Sequence, residues 1–266
     1  FFFKQKTAYE ITYGDWSSDV CSSDLTIVFV HGFTQTRDSW MPLLSELAPK
    51  LTDTRYVLVD LPGHGSSATI SANLRDTAEL LVGVGGHATY VGYSLGARVV
   101  LHAALAHPEL MQSCVLISGT PGIEDEKERE QRRTNDERLA DRVINVGVQV
   151  FIDEWLTQPL FSTLTGEQSR RKERLSNTPE GLANSLRTSG TGTQENLWPR
   201  LGDISTRTLL VVGERDPKFL EIAMRMNEAL PNSSLSVIGA AGHSAHLEQP
   251  ANVALNLAAF LDLDGV

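Results

Sequence analysis

The pentapeptide Gly92-Tyr93-Ser94-Leu95-Gly96 stands directly after a short apolar run and directly before a helical pattern. A serine in that position can act as a nucleophile or relay a proton. The flanking glycines relieve the crowding of a strand that turns sharply into a helix, while the hydroxyl projects from the bend. The helix starting at Leu95 aims unsatisfied backbone N–H groups, that of Leu95 above all, at the place where negative charge would develop. Taken alone, the pentapeptide also fits a glycine-rich turn with no chemistry. Two partners weigh against that. Asp216 follows the run Leu209–Val212 in Gly213-Glu214-Arg215-Asp216, and His243 follows Leu235–Ile238 in Ala241-Gly242-His243-Ser244. With each residue on a loop after a strand, a carboxylate can orient an imidazole and the imidazole can take a proton from the hydroxyl.

Each member has a competitor. Asp216, followed by Pro217, also suits a helix N-cap, and the two roles are compatible. Glu214 is the second candidate acid and His246 the second candidate imidazole. His64, His87, His102 and His107 read as turn or helix residues. His31-Gly32-Phe33, after the first apolar run, is where a second backbone donor to an oxyanion would sit, and Phe33 N–H is the candidate. The stretch Asp60-Leu61-Pro62-Gly63-His64-Gly65 reads as a structural turn without a catalytic role.

The elements that position these residues alternate in type. Thr26–Val30, Tyr56–Val59, Thr89–Val91, Cys114–Ile117, Leu209–Val212 and Leu235–Ile238 are rich in Val, Ile and Leu, as strands buried on both faces should be. Leu95–Ala106, Leu220–Leu230 and Ala251–Leu261 carry helical patterns between or after them. The expected fold is therefore α/β: a mostly parallel sheet with helices on both faces. The alternation breaks over 123–196, where charged helical sequence predicts an inserted cap roofing the carboxyl ends of the strands. The division that follows is a core over 26–122, a helical cap over 123–196, and the rest of the core over 197–266. Arg98 lies one helical turn beyond Ser94, on the same side as its hydroxyl.

Composition narrows the partners. The chain has 266 residues and a formal charge of −10, with no basic face to grip nucleic acid. No apolar run is long enough to span a membrane, and the first residues lack the features of a signal peptide, so a cytoplasmic setting is expected. Cys21 and Cys114 make a weak case for a disulfide. Oligomeric state is not legible. Residues 1–25 show no strand or helix period and resemble the translation of short-read sequencing adapter sequence. On that reading the segment is non-native and takes Cys21 with it, and the edge strands that would precede Thr26 are missing.

The residues from Thr26 onward resemble the α/β-hydrolase family, and within it the 2-succinyl-6-hydroxy-2,4-cyclohexadiene-1-carboxylate synthases of menaquinone biosynthesis. The resemblance rests on His31-Gly32-Phe33-Thr34, on Gly92 to Arg98, on Trp155 to Phe161, on Ser189-Gly190-Thr191-Gly192-Thr193-Gln194, on Gly213 to Phe219, and on Gly242-His243-Ser244-Ala245-His246. It implies Ser94, Asp216 and His243 as a catalytic triad. It also implies that Tyr93, Arg98, Arg132, Trp155 and Arg174 hold a small polyanionic substrate, with Arg133 and Arg171 as near neighbours of the two cap arginines. The implied reaction is a lyase step releasing pyruvate with no metal or organic cofactor. A serine hydrolase of an ester, thioester or carbon–carbon bond is the alternative, and a non-catalytic ligand-binding scaffold of the same fold is a further one.

Overall fold

The computed structural model describes residues 8–12 and 25–262, with side chains from residue 25 onward. The elements in chain order are β1 (Ala8–Thr12), β2 (Leu25–Val30), α1 (Met41–Leu47), β3 (Thr54–Val59), α2 (Leu74–Gly85), β4 (Ala88–Tyr93), α3 (Leu95–Ala106) and β5 (Met111–Ile117). There follow α4 (Glu126–Leu156), α5 (Arg171–Arg174), α6 (Pro179–Ser189), β6 (Thr208–Gly213), α7 (Pro217–Ala229), β7 (Ser233–Ile238), α8 (Ala245–Glu248) and α9 (Pro250–Asp262). One sheet holds the strands in the order β1-β3-β2-β4-β5-β6-β7. Six of them run parallel, and β1 pairs antiparallel with β3 at the edge.

Side chains of a strand alternate between faces, and here the alternation divides two cores. Val28, Val30, Tyr90, Leu116 and Leu210 join one cluster with residues of α2, α3 and α7. Their neighbours Ile27, Phe29, Val91, Ile117 and Val211 join a second with α1 and α9. Both faces are thus covered, which is why these strands read as continuous apolar runs. Where the alternation breaks, α4 and α6 build a third cluster, with Ala140, Val143, Phe151 and Ile152 against Leu182, Ala183 and Leu186. Gly147 (φ 77°) interrupts α4; only glycine takes that backbone geometry without strain.

One expectation is corrected. The edge beyond β3 is not bare, because Ala8 pairs with Val59 and Thr12 with Arg55. Strand pairing uses main-chain groups that every residue except proline supplies, so an edge strand can form without an apolar period. Apart from β1 and Leu25, the adapter-like segment, Cys21 included, lies outside the described residues. Cys114 is buried and free, and burial pushes its thiol up to about 12. Among the described residues no helix is long and apolar enough to cross a membrane.

Candidate active site

Ser94 sits between β4 and α3 with φ 51° and ψ −104°, a left-handed conformation that few side chains adopt. The surrounding backbone enforces it. A Cβ at Gly92 would come 2.5 Å from the carbonyl oxygen of Gly96, and one at Gly96 would overlap that of Val30. The Ser94 N–H donates to the Ile117 carbonyl at 2.9 Å, tying the bend to β5. Strain held this way at one partly buried hydroxyl facing the cleft is characteristic of functional positions.

His243 and Asp216 approach from the loops after β7 and β6. His243 Nε2 lies 3.3 Å from Ser94 Oγ, and its Nδ1 lies 2.7 Å from Asp216 Oδ2. The other oxygen of Asp216 accepts from Phe219 N–H at 3.3 Å, so this carboxylate also caps α7. The competitors are placed elsewhere. Glu214 accepts from Ala240 N–H. His246 lies between the rings of Trp40 and Tyr93, and burial holds its pKa well below the usual range.

His64 and His31 are buried struts under the loop that carries Phe33. Neutral His64 accepts from Thr34 N–H at 3.3 Å through Nε2 and donates to the Pro62 carbonyl through Nδ1. Burial lowers its pKa to about 3. His31 Nε2 likewise accepts from Leu61 N–H at 3.1 Å. His102 lies on α3, where burial lowers its pKa to about 4.

Above Ser94 opens a cleft of about 290 Å³, lined by Phe33, Tyr93, Ser94, Leu95 and His243 below and by α4–α6 residues above. The Leu95 N–H, first in its helix, has no intrahelical acceptor. Arg98, Arg132, Arg174 and Lys218 all line the cleft, and among the described residues no aspartate or glutamate does. Arg174 is 1% exposed. It donates through Nε to the Ser169 carbonyl at 2.7 Å and through Nη1 to Thr34 Oγ1, while its Nη2 has no partner among the described residues. Arg98 donates to the Ser189 carbonyl of α6 at 2.9 Å. Burial lowers the Arg98 pKa to about 9 and that of Arg174 to about 10, so both stay cationic at neutral pH. Arg132 is held by Asp136 at 2.8 Å, and Asp136 in turn accepts from Gly192 N–H at 3.0 Å.

Of the ten residues first given a catalytic, oxyanion or substrate-holding role, all but Asp216 line this cleft, and Asp216 stands behind His243. Arg132 and Arg174 reach it, whereas their neighbours pair outside it, Arg133 with Glu130 and Arg171 with Asp153. Trp155 closes the roof against Phe33, ring centroids 5.0 Å apart. Tyr93 presents its ring, but its hydroxyl bonds Ser244 Oγ at 2.7 Å. Two contributors had no role from sequence. Lys218 supplies a fourth cation, and Phe219 packs on His243 at 4.4 Å; their position just after Asp216-Pro217 was the available signal.

A sharp strand-to-helix serine, a histidine and an acid on three loops at one sheet edge define a class, and the chain belongs to it: the alpha/beta hydrolase family model matches residues 27–255. Within that family the likeness is narrower. A Bacillus subtilis (strain 168) protein that carries the name 2-succinyl-6-hydroxy-2,4-cyclohexadiene-1-carboxylate synthase provisionally is 36% identical over 238 residues, covering 84% of this chain and 85% of the relative. The Escherichia coli O1:K1 / APEC protein of that name is 33% identical over 245 residues, 88% of this chain and 93% of its own. The solved structure of MenH from S. aureus superposes with a TM-score of 0.87 at 31% identity, covering 98% of this chain and 99% of that one.

Proposed function

We propose that this protein is a cytoplasmic lyase of menaquinone biosynthesis. It converts 2-succinyl-5-enolpyruvyl-6-hydroxy-3-cyclohexene-1-carboxylate to 2-succinyl-6-hydroxy-2,4-cyclohexadiene-1-carboxylate and pyruvate. The observation that carries this reading is the cleft's charge: among the described residues four cations and no carboxylate line it, in a chain of net charge −10. Such a lining offsets the repulsion a polyanionic substrate would meet and favours a ligand with several carboxylates. The names of the relatives agree with it.

In this reading Ser94, His243 and Asp216 are the catalytic triad. The Ser94–His243 pair takes the proton beside the succinyl carbonyl, and Asp216 holds the imidazole in its orientation. As that C–H bond breaks, its electron pair passes to the succinyl oxygen as an enolate. When the enolate collapses, a double bond forms at C2–C3, the existing C3–C4 double bond shifts to C4–C5, and the C5–O bond to the enolpyruvyl group breaks. The leaving enolate recovers the proton and becomes pyruvate, so the triad ends as it began. Phe33 and Leu95 N–H groups stabilise the enolate charge on the succinyl oxygen. Arg98, Arg132 and Arg174 grip carboxylates, since the guanidinium fork matches a carboxylate's two oxygens. Tyr93 and Trp155 provide apolar walls. The helical segment 123–196 is the cap that selects this substrate.

The test is to supply the cyclohexene-carboxylate intermediate and follow pyruvate. Release at an enzymatic rate, with simple aryl esters turned over far more slowly, is the expected result. Ester turnover that rivals pyruvate release would instead assign a serine hydrolase.

A further inference from the structure

One side chain holds the loop of His243 from both ends. Glu248, the last residue of α8, accepts from Gly242 N–H at 2.8 Å through one carboxylate oxygen and from Ser244 N–H at 3.1 Å through the other. These are the residues immediately before and after His243. Ser118 Oγ adds a third tie by donating to the His243 carbonyl at 2.8 Å. The Gln168 side chain, from the helical segment above, donates to the Glu248 carbonyl at 3.2 Å.

Helix capping accounts for only half of this. Ser244 is the N-cap of α8, and Glu248 reaches back to its N–H as the glutamate of a capping box does, though from four residues on instead of three. Gly242 lies outside the helix. The space around it is closed, because a Cβ there would collide with Thr163 Oγ1 and come within 3.2 Å of Glu248 Oε1. Glu248 is 7% exposed, and among the described residues no lysine or arginine pairs with it. A buried carboxylate without a cation is costly unless hydrogen bonds compensate, and capping a four-residue helix does not call for a full charge.

We propose that Glu248 is a positioning residue: its two oxygens bracket His243 and fix the imidazole between Ser94 and Asp216. The proposal rests on the reading of His243 as the group that moves the proton. Catalytic groups must be held within about 0.5 Å of productive geometry by such supports. Glu248→Gln keeps the shape but turns one acceptor into an amide that faces a backbone N–H, donor against donor. The cleft cations are bonded elsewhere and keep their places.

The experiment measures pyruvate release and the far-downfield proton resonance of the His243 Nδ1–H···Asp216 bond in wild type, Glu248→Gln and His243→Ala. For Glu248→Gln, kcat should fall about 10- to 100-fold with KM within about twofold, the cost of a small misplacement of a catalytic group. The downfield resonance should shift or broaden while circular dichroism is unchanged. Should Glu248→Gln fail to fold, Glu248→Asp keeps the charge, loses the reach, and is expected to show the same split. A Glu248 variant with wild-type kcat and an unshifted resonance, beside an inactive His243→Ala, overturns the positioning role alone. An active His243→Ala overturns the reading beneath it.

Discussion

Arg171 and Arg174 lie three residues apart on α5 and have opposite surroundings. Arg171 points outward, its side chain 40% exposed, and forks onto both oxygens of Asp153. Arg174 points inward, is almost fully buried, and has no carboxylate in ion-pair range among the described residues. The contrast extends across the helical segment. On its outer surface Arg142 pairs with Glu154, Arg187 with Glu137 and Asp141, and Arg133 with Glu130. In the cleft, the hydrogen bonds of Arg98 and Arg174 among the described residues go to neutral oxygens, with Asp136 and Glu173 acting on them from a distance. Exposed pairs are worth little, because water screens them and ordering two long side chains costs entropy. A buried guanidinium without a counter-charge is destabilising in the empty protein. In the function proposed above, an anionic ligand supplies the missing charge.

The floor and the roof of the cleft should therefore respond differently to mutation. The largest effect belongs to the floor. Ser94→Ala, His243→Ala and Asp216→Asn should each lower kcat for pyruvate release by on the order of 10³-fold or more, since such residues act as a unit. Circular dichroism and thermal melting should stay close to wild type. Near-normal turnover in Ser94→Ala would remove the triad from the mechanism.

Next come the buried cations. Arg98→Ala should lose about 2 to 4 kcal/mol of transition-state binding, read as kcat/KM, the cost of truncating one member of a buried charge pair. Arg98→Lys should also be impaired, because a point charge does not replace a planar fork. Arg132→Ala should lose less, since that side chain is 37% exposed and already paired with Asp136. Wild-type efficiency should fall with added salt, and the slope should flatten as these arginines are removed. An unchanged slope would separate the cleft's charge from substrate capture.

The smallest effect concerns stability and pH. His64 and His102 have folded-state pKa values lowered by burial to about 3 and about 4, against 6.5 unperturbed. Between those limits the unfolded chain binds more protons than the folded one, so stability is greatest above about 6.5 and declines as pH falls toward 4. Melting temperatures from pH 7.5 to 4 should show this decline, and His64→Asn should make it shallower. A flat profile would mean that these imidazoles are hydrated in the folded protein.

How far the sequence was legible follows from how each part is built. The six parallel strands were visible because burial on both faces leaves uninterrupted apolar runs. Ser94, Asp216 and His243 were visible because each sits within a few residues of a strand end. Arg132 and Arg174 were legible only through the resemblance, with Arg133 and Arg171 as close rivals, because helix packing decides which of two neighbouring arginines turns inward. The Glu248 bracket and the Tyr93–Ser244 bond were also hidden. The first is made through backbone N–H groups, which every residue but proline carries, and the second joins residues 151 positions apart. β1 escaped notice for the reason already given, that ladder bonds need no side-chain pattern.

The most direct test sets the two neighbours on α5 side by side. Arg171→Gln and Arg174→Gln would be compared with wild type for kcat/KM of pyruvate release from the cyclohexene-carboxylate, with melting temperatures recorded alongside. Arg174→Gln should lose about 30- to 1000-fold, while Arg171→Gln should stay within about twofold, as solvated surface sites do. Equal efficiencies in the two variants, both folded, would contradict the proposal that the buried Arg174 in the cleft recognises a polyanionic substrate.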